Sequence, residues 1–203
     1  MANIDAPSGF RYVGNMCEGG VSAQVWKCNI PAADTDNWYI GDPCIISGAL
    51  TSADGFYPGI DLAAGTDTNP ITGIVTSFEP PAGYDSYKKR LASVCWKAYV
   101  CFDPYAIYEC QCDDDATDWN YTDVWLNCVA ADAGGSVYTG LSGWELDGTT
   151  DPSADGSNPL QIVGFARYDN NEQNAAFGKW IVRLSHSQLV ETTTAGDGIL
   201  GVA

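Results

Sequence analysis

The chain has 203 residues, 45% of them hydrophobic and 12% aromatic, and a formal net charge of −17. That composition is globular rather than disordered, and the length suffices for one sizeable core or for a core with extended arms. The charge repels phosphate backbones and anionic lipid, which argues against nucleic acid or a membrane surface as partner and suits a basic protein surface instead.

The first twenty residues carry only isolated apolar side chains, Ile4, Phe10, Tyr12 and Val13. They read as an extended N-terminal arm over 1–20 that docks on a neighbour, the plain alternative being terminal disorder. The opening Met1-Ala2-Asn3-Ile4-Asp5-Ala6-Pro7 lacks the basic and apolar regions of a signal peptide, so synthesis in a cytoplasm is expected. No apolar run approaches the roughly 18 residues of a membrane span.

Residues 21–30 (VSAQVWKCNI) are rich in strand formers, and 93–102 (SVCWKAYVCF) reads as a strand buried on both faces. Residues 105–112 (YAIYECQC) follow a turn at Asp103-Pro104, so 93–112 reads as a hairpin. Tyr121, Val124, Trp125 and Cys128 stand at helical spacing, with Asp118 as cap and Gly134 as stop; the alternative is an irregular segment packing two aromatics inward. Residues 160–168 and 179–184 form a second strand pair, with Trp180, Val182 and Leu184 on one face. Turn clusters recur between these runs, as at 133–135 and from Gly148 to Pro159. Residues 191–203 are small and polar around one apolar patch, Ile199-Leu200, and read as a C-terminal tail. An extended arm of about 14 residues spans roughly 45 Å. The fold class expected is mainly β: an antiparallel sandwich or barrel-like body over 21–190, extended arms at both ends, and at most one short helix.

The chemistry-bearing residues point away from catalysis. The single His186 lies between Ser185 and Ser187, which a strand turns to the opposite face, so a nucleophile–base pair is not expected. GLSG at 140–143 is not a nucleophile elbow, and no phosphate-binding glycine loop occurs. The acidic run Asp113-Asp114-Asp115 with Asp118 and Asp123 lacks the alternation of a calcium loop. Paired carboxylates of a glycosidase stay open, since pairing is spatial. Eight cysteines, with no CxxC, read first as small buried thiols, then as disulfides, and last as a zinc site. No cofactor and no metal are expected. Trp144 and Trp180 are assigned to the core, while the remaining aromatics keep a sugar-stacking platform open.

Several stretches, in order, resemble a family of tailed-phage head proteins. The opening MANIDAPSGFRYVG is similar to that family's start, and GDPCIISG at 41–48 to its strand entered through Gly-Asp. ITGIVTSFEP at 71–80 resembles its buried strand, KAYVCFDPYAIYECQ at 97–111 its hairpin around Asp-Pro, and TGLSGWELD at 139–147 its Gly-x-Ser-Gly-x-x-Leu-Asp stretch. QIVGFARYDNNEQNAAFGKWIVRLSHSQL at 161–189 is similar to its closing strand pair. The resemblance implies a β-rich virion structural protein of the capsid-decoration or cement type, a homotrimer on the outer capsid surface with the major capsid protein as partner. It also implies an irregular segment, not a helix, near 121–128. The cysteine content departs from the family's cysteine-poor pattern. On this reading Ile4, Phe10 and Tyr12 of the N-terminal arm, and Ile199 and Leu200 of the tail, contact the capsid or a neighbouring subunit. A carbohydrate-binding β-sandwich module, or a tail- or fibre-associated virion protein, is the alternative.

Overall fold

The computed structural model describes residues 3–17, 23–48, 55–64, 69–84, 88–115 and 118–189. The tail 191–203, with Ile199 and Leu200, lies outside the described residues. The chain is mainly β, and no α-helix forms among the described residues. No helix among them is long and apolar enough to cross a membrane.

Five strands close a barrel in the order β2 (Val25–Ile30), β5 (Gly59–Leu62), β4 (Pro43–Ser47), β6 (Gly73–Glu79) and β8 (Trp96–Cys101). Its pairings are antiparallel except for a short parallel contact of β2 with β5 at Asn29–Gly59. Alternation along β8 fills the barrel: Trp96, Ala98 and Val100 point inward with Cys28, Ile30, Cys44, Ile60, Val75 and Phe78. An open sheet lies beside it in the order β1 (Arg11–Asn15), β9 (Ala106–Gln111), β14 (Lys179–Leu184), β13 (Leu160–Phe165) and β10 (Asn127–Cys128). A second core forms on this sheet from Tyr108, Trp119, Trp144, Ile162, Trp180, Val182 and Leu184, and it reaches Ile74 and Cys101 of the barrel strands. Trp144 and Trp180 are thus core residues, and β13 and β14 form the expected pair, antiparallel with Leu160 opposite Leu184. Two small ribbons complete the body. One pairs β3 (Trp38–Tyr39) with β7 (Lys89–Arg90), the other β11 (Ala130–Ala131) with β12 (Glu145–Leu146).

Three expectations are corrected. The first is the 93–112 hairpin. A strand has two edges; β8 gives both to β2 and β6, and β9 gives both to β1 and β14. The turn at Asp103 is real, with the Ala106 N–H donating to the Asp103 carbonyl at 3.1 Å. It carries the chain out of the barrel and into the sheet.

The second is the helix over 121–128. Only a 3-10 turn forms, Tyr121–Asp123, capped by Asn120 in a reciprocal box with Asp123. The chain then leaves helical space because its amides are taken elsewhere. Trp125 N–H donates to Ile162 O at 2.8 Å and Asn127 N–H to Ser153 O at 2.7 Å. Tyr121 points into solvent, so the spaced apolar residues share no buried face.

The third is the N-terminal arm. Residues 11–15 are the edge strand β1, with Arg11 opposite Glu109. Phe10 is 3% exposed and meets Tyr108 edge-on at 6.5 Å, and Tyr12 does the same at 6.2 Å. Burying two aromatic rings on the chain's own core outweighs leaving them on a free arm. Gly9 permits the entry: its φ is +63°, and a Cβ there would sit 2.4 Å from Ser142. Even Asn3 is fastened, donating to Glu172 O and Ala176 O and accepting from the Glu172 amide at 2.7 Å.

Candidate interaction surface

Among the described residues, one end of the barrel is open. Trp26 lies opposite Val100, and Ile46 opposite Ile60, so both share the inward face with the barrel core. Yet Trp26 is 61% exposed. It stands at the margin of the filled interior, beside the open end, although its partner Val100 is fully buried. The resulting mouth has a volume of about 450 Å³, within the roughly 300–1,000 Å³ of ordinary binding pockets, and barrel mouths are a common place for them. Gln24, Trp26, Ile46, Pro58 and Phe102 form its wall. Pro104, Tyr105 and Leu189 form its rim.

The rim is held by hydrogen bonds. Asp103 accepts from the Tyr105 amide at 2.9 Å through one carboxylate oxygen and from Asn15 Nδ2 at 2.6 Å through the other. Pro104 and Tyr105 are thereby fixed outward. On the far side, Gln188 accepts from the Ile46 amide at 2.7 Å and returns a bond to the Ile46 carbonyl at 3.3 Å. Its side chain substitutes for a strand partner at the edge of β4, and so delivers Leu189 to the rim. Tyr105 and Leu189 are 51% and 54% exposed, and Met16 and Val25 add further exposed apolar surface close by in the chain path. Isolated exposed apolar residues need no explanation, but a continuous apolar mouth and rim mark an interaction site.

The outer wall of the same barrel carries charge. Lys27 pairs with Glu79 at 2.7 Å, and Tyr99 donates to Glu79 at 2.8 Å; these bonds hold the Glu79 carboxyl below its ordinary value. Lys97 lies over the Tyr57 ring at 4.4 Å. Two buried or half-buried carboxyls sit elsewhere. Burial pushes Asp42 up to about 7, against hydrogen bonds from Ser142 and the Tyr39 amide. Burial, with the charges of Asp5, Asp113 and Asp114, pushes Glu145 up to about 7 against its bond from Gln111.

Of the residues singled out in the sequence, Phe10 and Tyr12 come together on Tyr108, Phe10 buried in the core and Tyr12 half-buried against it. Ile4 lies apart from them on the surface, 67% exposed, beside a shallow cavity shared with Tyr168 and Phe177. His186 is buried, its Nδ1 2.9 Å from the Ser157 carbonyl, and Ser185 donates to Asn158 O at 2.7 Å. Among the described residues no three His, Cys, Asp or Glu side chains are grouped to hold a metal. Six cysteines are buried free thiols, and Cys17 and Cys95 are exposed. The mouth residues Trp26, Tyr105 and Leu189 are the ones that sequence reasoning missed. What the mouth offers chemically is dry contact for apolar side chains. No family model, curated protein or solved structure matches the chain.

Proposed function

We propose that this chain is a virion structural protein, a decoration protein that binds the outside of a tailed-phage capsid and self-associates as a homotrimer. The observation that carries the reading is the apolar barrel mouth with its exposed rim, Trp26, Tyr105 and Leu189, a surface for self-association on an otherwise acidic body. The ordered sequence resemblance supports the same reading. A binder of this kind stabilises a shell by mass action, because it binds the assembled lattice and not free subunits. A closed trimer matches three-fold positions, and its weak contacts add through multivalency. Catalysis has no part in the proposal.

The mouth favours protein docking over sugar binding. The lining is mostly apolar; its polar groups are Gln24, the Tyr105 hydroxyl, the Trp26 indole N–H and an Asp103 carboxylate that already accepts a bond at each oxygen within the chain. A sugar site needs several placed polar groups beside its stacking ring.

The test is co-sedimentation with shells assembled from a tailed-phage major capsid protein. The unaltered chain is expected to saturate them, and Trp26→Ser with Tyr105→Ser to bind at least about tenfold more weakly while the body stays folded, because contacts of separated subunits no longer add. Failure of the unaltered chain to bind, or quenching of its tryptophan emission by a glycan, overturns the reading.

A further inference from the structure

We infer that the barrel mouth of one subunit is occupied by the C-terminal segment of a second copy, with Ile199 and Leu200 as the plug. The inference rests on the reading of the chain as self-associating, and it names the partner of the mouth.

The mouth asks for a short apolar plug. Its wall is Trp26, Ile46, Pro58 and Phe102, and the space of about 450 Å³ suits a few aliphatic side chains. The segment 190–203 holds one apolar run, Ile199-Leu200-Gly201-Val202, after a polar stretch from Glu191 to Gly198. Glycines on either side of that pair leave the backbone free to enter a narrow opening.

Where the described chain ends is informative. Leu189 is itself a rim residue, fixed there by Gln188 on β4. Every C-terminal segment therefore starts at the very end of the molecule that bears a mouth. Ile199 stands ten residues further on. At about 3.3 Å per residue, that spacer spans up to about 33 Å, on the scale of one body of this length. A subunit apposed at this end is within reach.

Surface coverage selects a second copy over the chain's own tail. Two aliphatic side chains enter the mouth, but they leave Val25, Met16 and the outer faces of Trp26 and Tyr105 in water. A neighbouring body covers those residues, and its own segment then begins beside the mouth that it fills. Passed round a ring, the exchange gives each mouth one plug and leaves no mouth open, which is the closure expected of a head-to-tail contact.

The full-length chain carrying Leu200→p-benzoylphenylalanine is irradiated and run on a denaturing gel. The expected product is a covalent two-chain species in which residue 200 is joined to the peptides that hold Trp26 or Tyr105. A one-chain product linked internally, or attachment elsewhere, overturns the inference. In parallel, Leu200→Asp and a chain ending at Leu189 are expected to self-associate at least about tenfold more weakly than the unaltered chain in sedimentation, the effect of losing one buried aliphatic contact. Unchanged association overturns it as well. Capsid co-sedimentation is scored separately: loss of shell binding with the two-chain product intact counts against the capsid reading and leaves this one standing.

Discussion

Arg90 and Asp34 form a fully buried ion pair, Nη1 to Oδ1 at 3.0 Å, and every N–H of the guanidinium has a partner. The other acceptors are the carbonyls of Pro31, Asp34, Asp36 and Val94, so one side chain organises the loop between β2 and β3. Asp34 in turn accepts from Trp38 Nε1 at 2.8 Å. Replacing one partner leaves the other charge buried and alone. Arg90→Met is therefore expected to cost about 3–5 kcal/mol in urea unfolding. Arg90→Lys restores the charge without the fork and is expected to recover only part of that loss.

Asp42 gives the fold a pH dependence of definite sign. Burial lifts its carboxyl from 3.8 in the open chain to about 7 in the fold. Between those values the unfolded chain releases a proton that the native chain keeps, so native stability falls as pH rises and levels off above about 7. Three pKa units set an upper bound of about 4 kcal/mol. Asp42→Asn is expected to remove that slope between pH 4 and 7, read from chemical denaturation at several pH values. Glu145 is raised for a similar reason and adds a slope of the same sign, which Glu145→Gln reduces.

The thiols divide by burial. Cys17 and Cys95 are exposed and are expected to react with a disulfide reagent within minutes. Burial holds the other thiols protonated, Cys28 up to about 12 and Cys44, Cys101, Cys110, Cys112 and Cys128 also raised. They are expected to react only on unfolding. A colorimetric titration counts two fast thiols in the native chain and eight in denaturant.

Gly135 is required by contact rather than by conformation. A Cβ there would lie 2.2 Å from the ring of Tyr39. Tyr39 is buried on the β3–β7 ribbon and has little room to retreat. Gly135→Ala is expected to cost about 1–3 kcal/mol, seen as a lower melting temperature.

Legibility in the sequence followed how local each decision was. The strands β2, β8, β13 and β14 were readable because alternation and β-branched content are properties of one segment. The Asp103-Pro104 turn was readable too, but its chemistry states only that the chain reverses. Whether it re-enters the same sheet depends on which strand edges are already taken, and that is decided by residues 11–15 and 179–184. Phe10 read as an arm residue because the few apolar residues near it, Tyr12 and Val13, make no run with it; its partner, Tyr108, is nearly a hundred positions away. Trp26 carried the right alternation for a core residue. Its exposure follows from its place at the open end of the barrel, which one segment's alternation does not reveal. At 121–128 the helical spacing was present, and long-range backbone bonds to Ile162 and Ser153 overrode it.

The position of β14 has a consequence for how the protein is made. It is the middle strand of the open sheet, between β9 and β13, and it comes last among the strands of the described residues. Until residues 179–184 leave the ribosome, β9 and β13 each present a naked hydrogen-bonding edge with no partner, a template for association with other nascent chains. At about 5–20 residues per second that interval lasts several seconds after β9 has emerged. A ribosome that stalls or terminates early thus leaves a sticky intermediate and not a smaller folded body. The sheet stays unclosed until almost the whole chain has been synthesised.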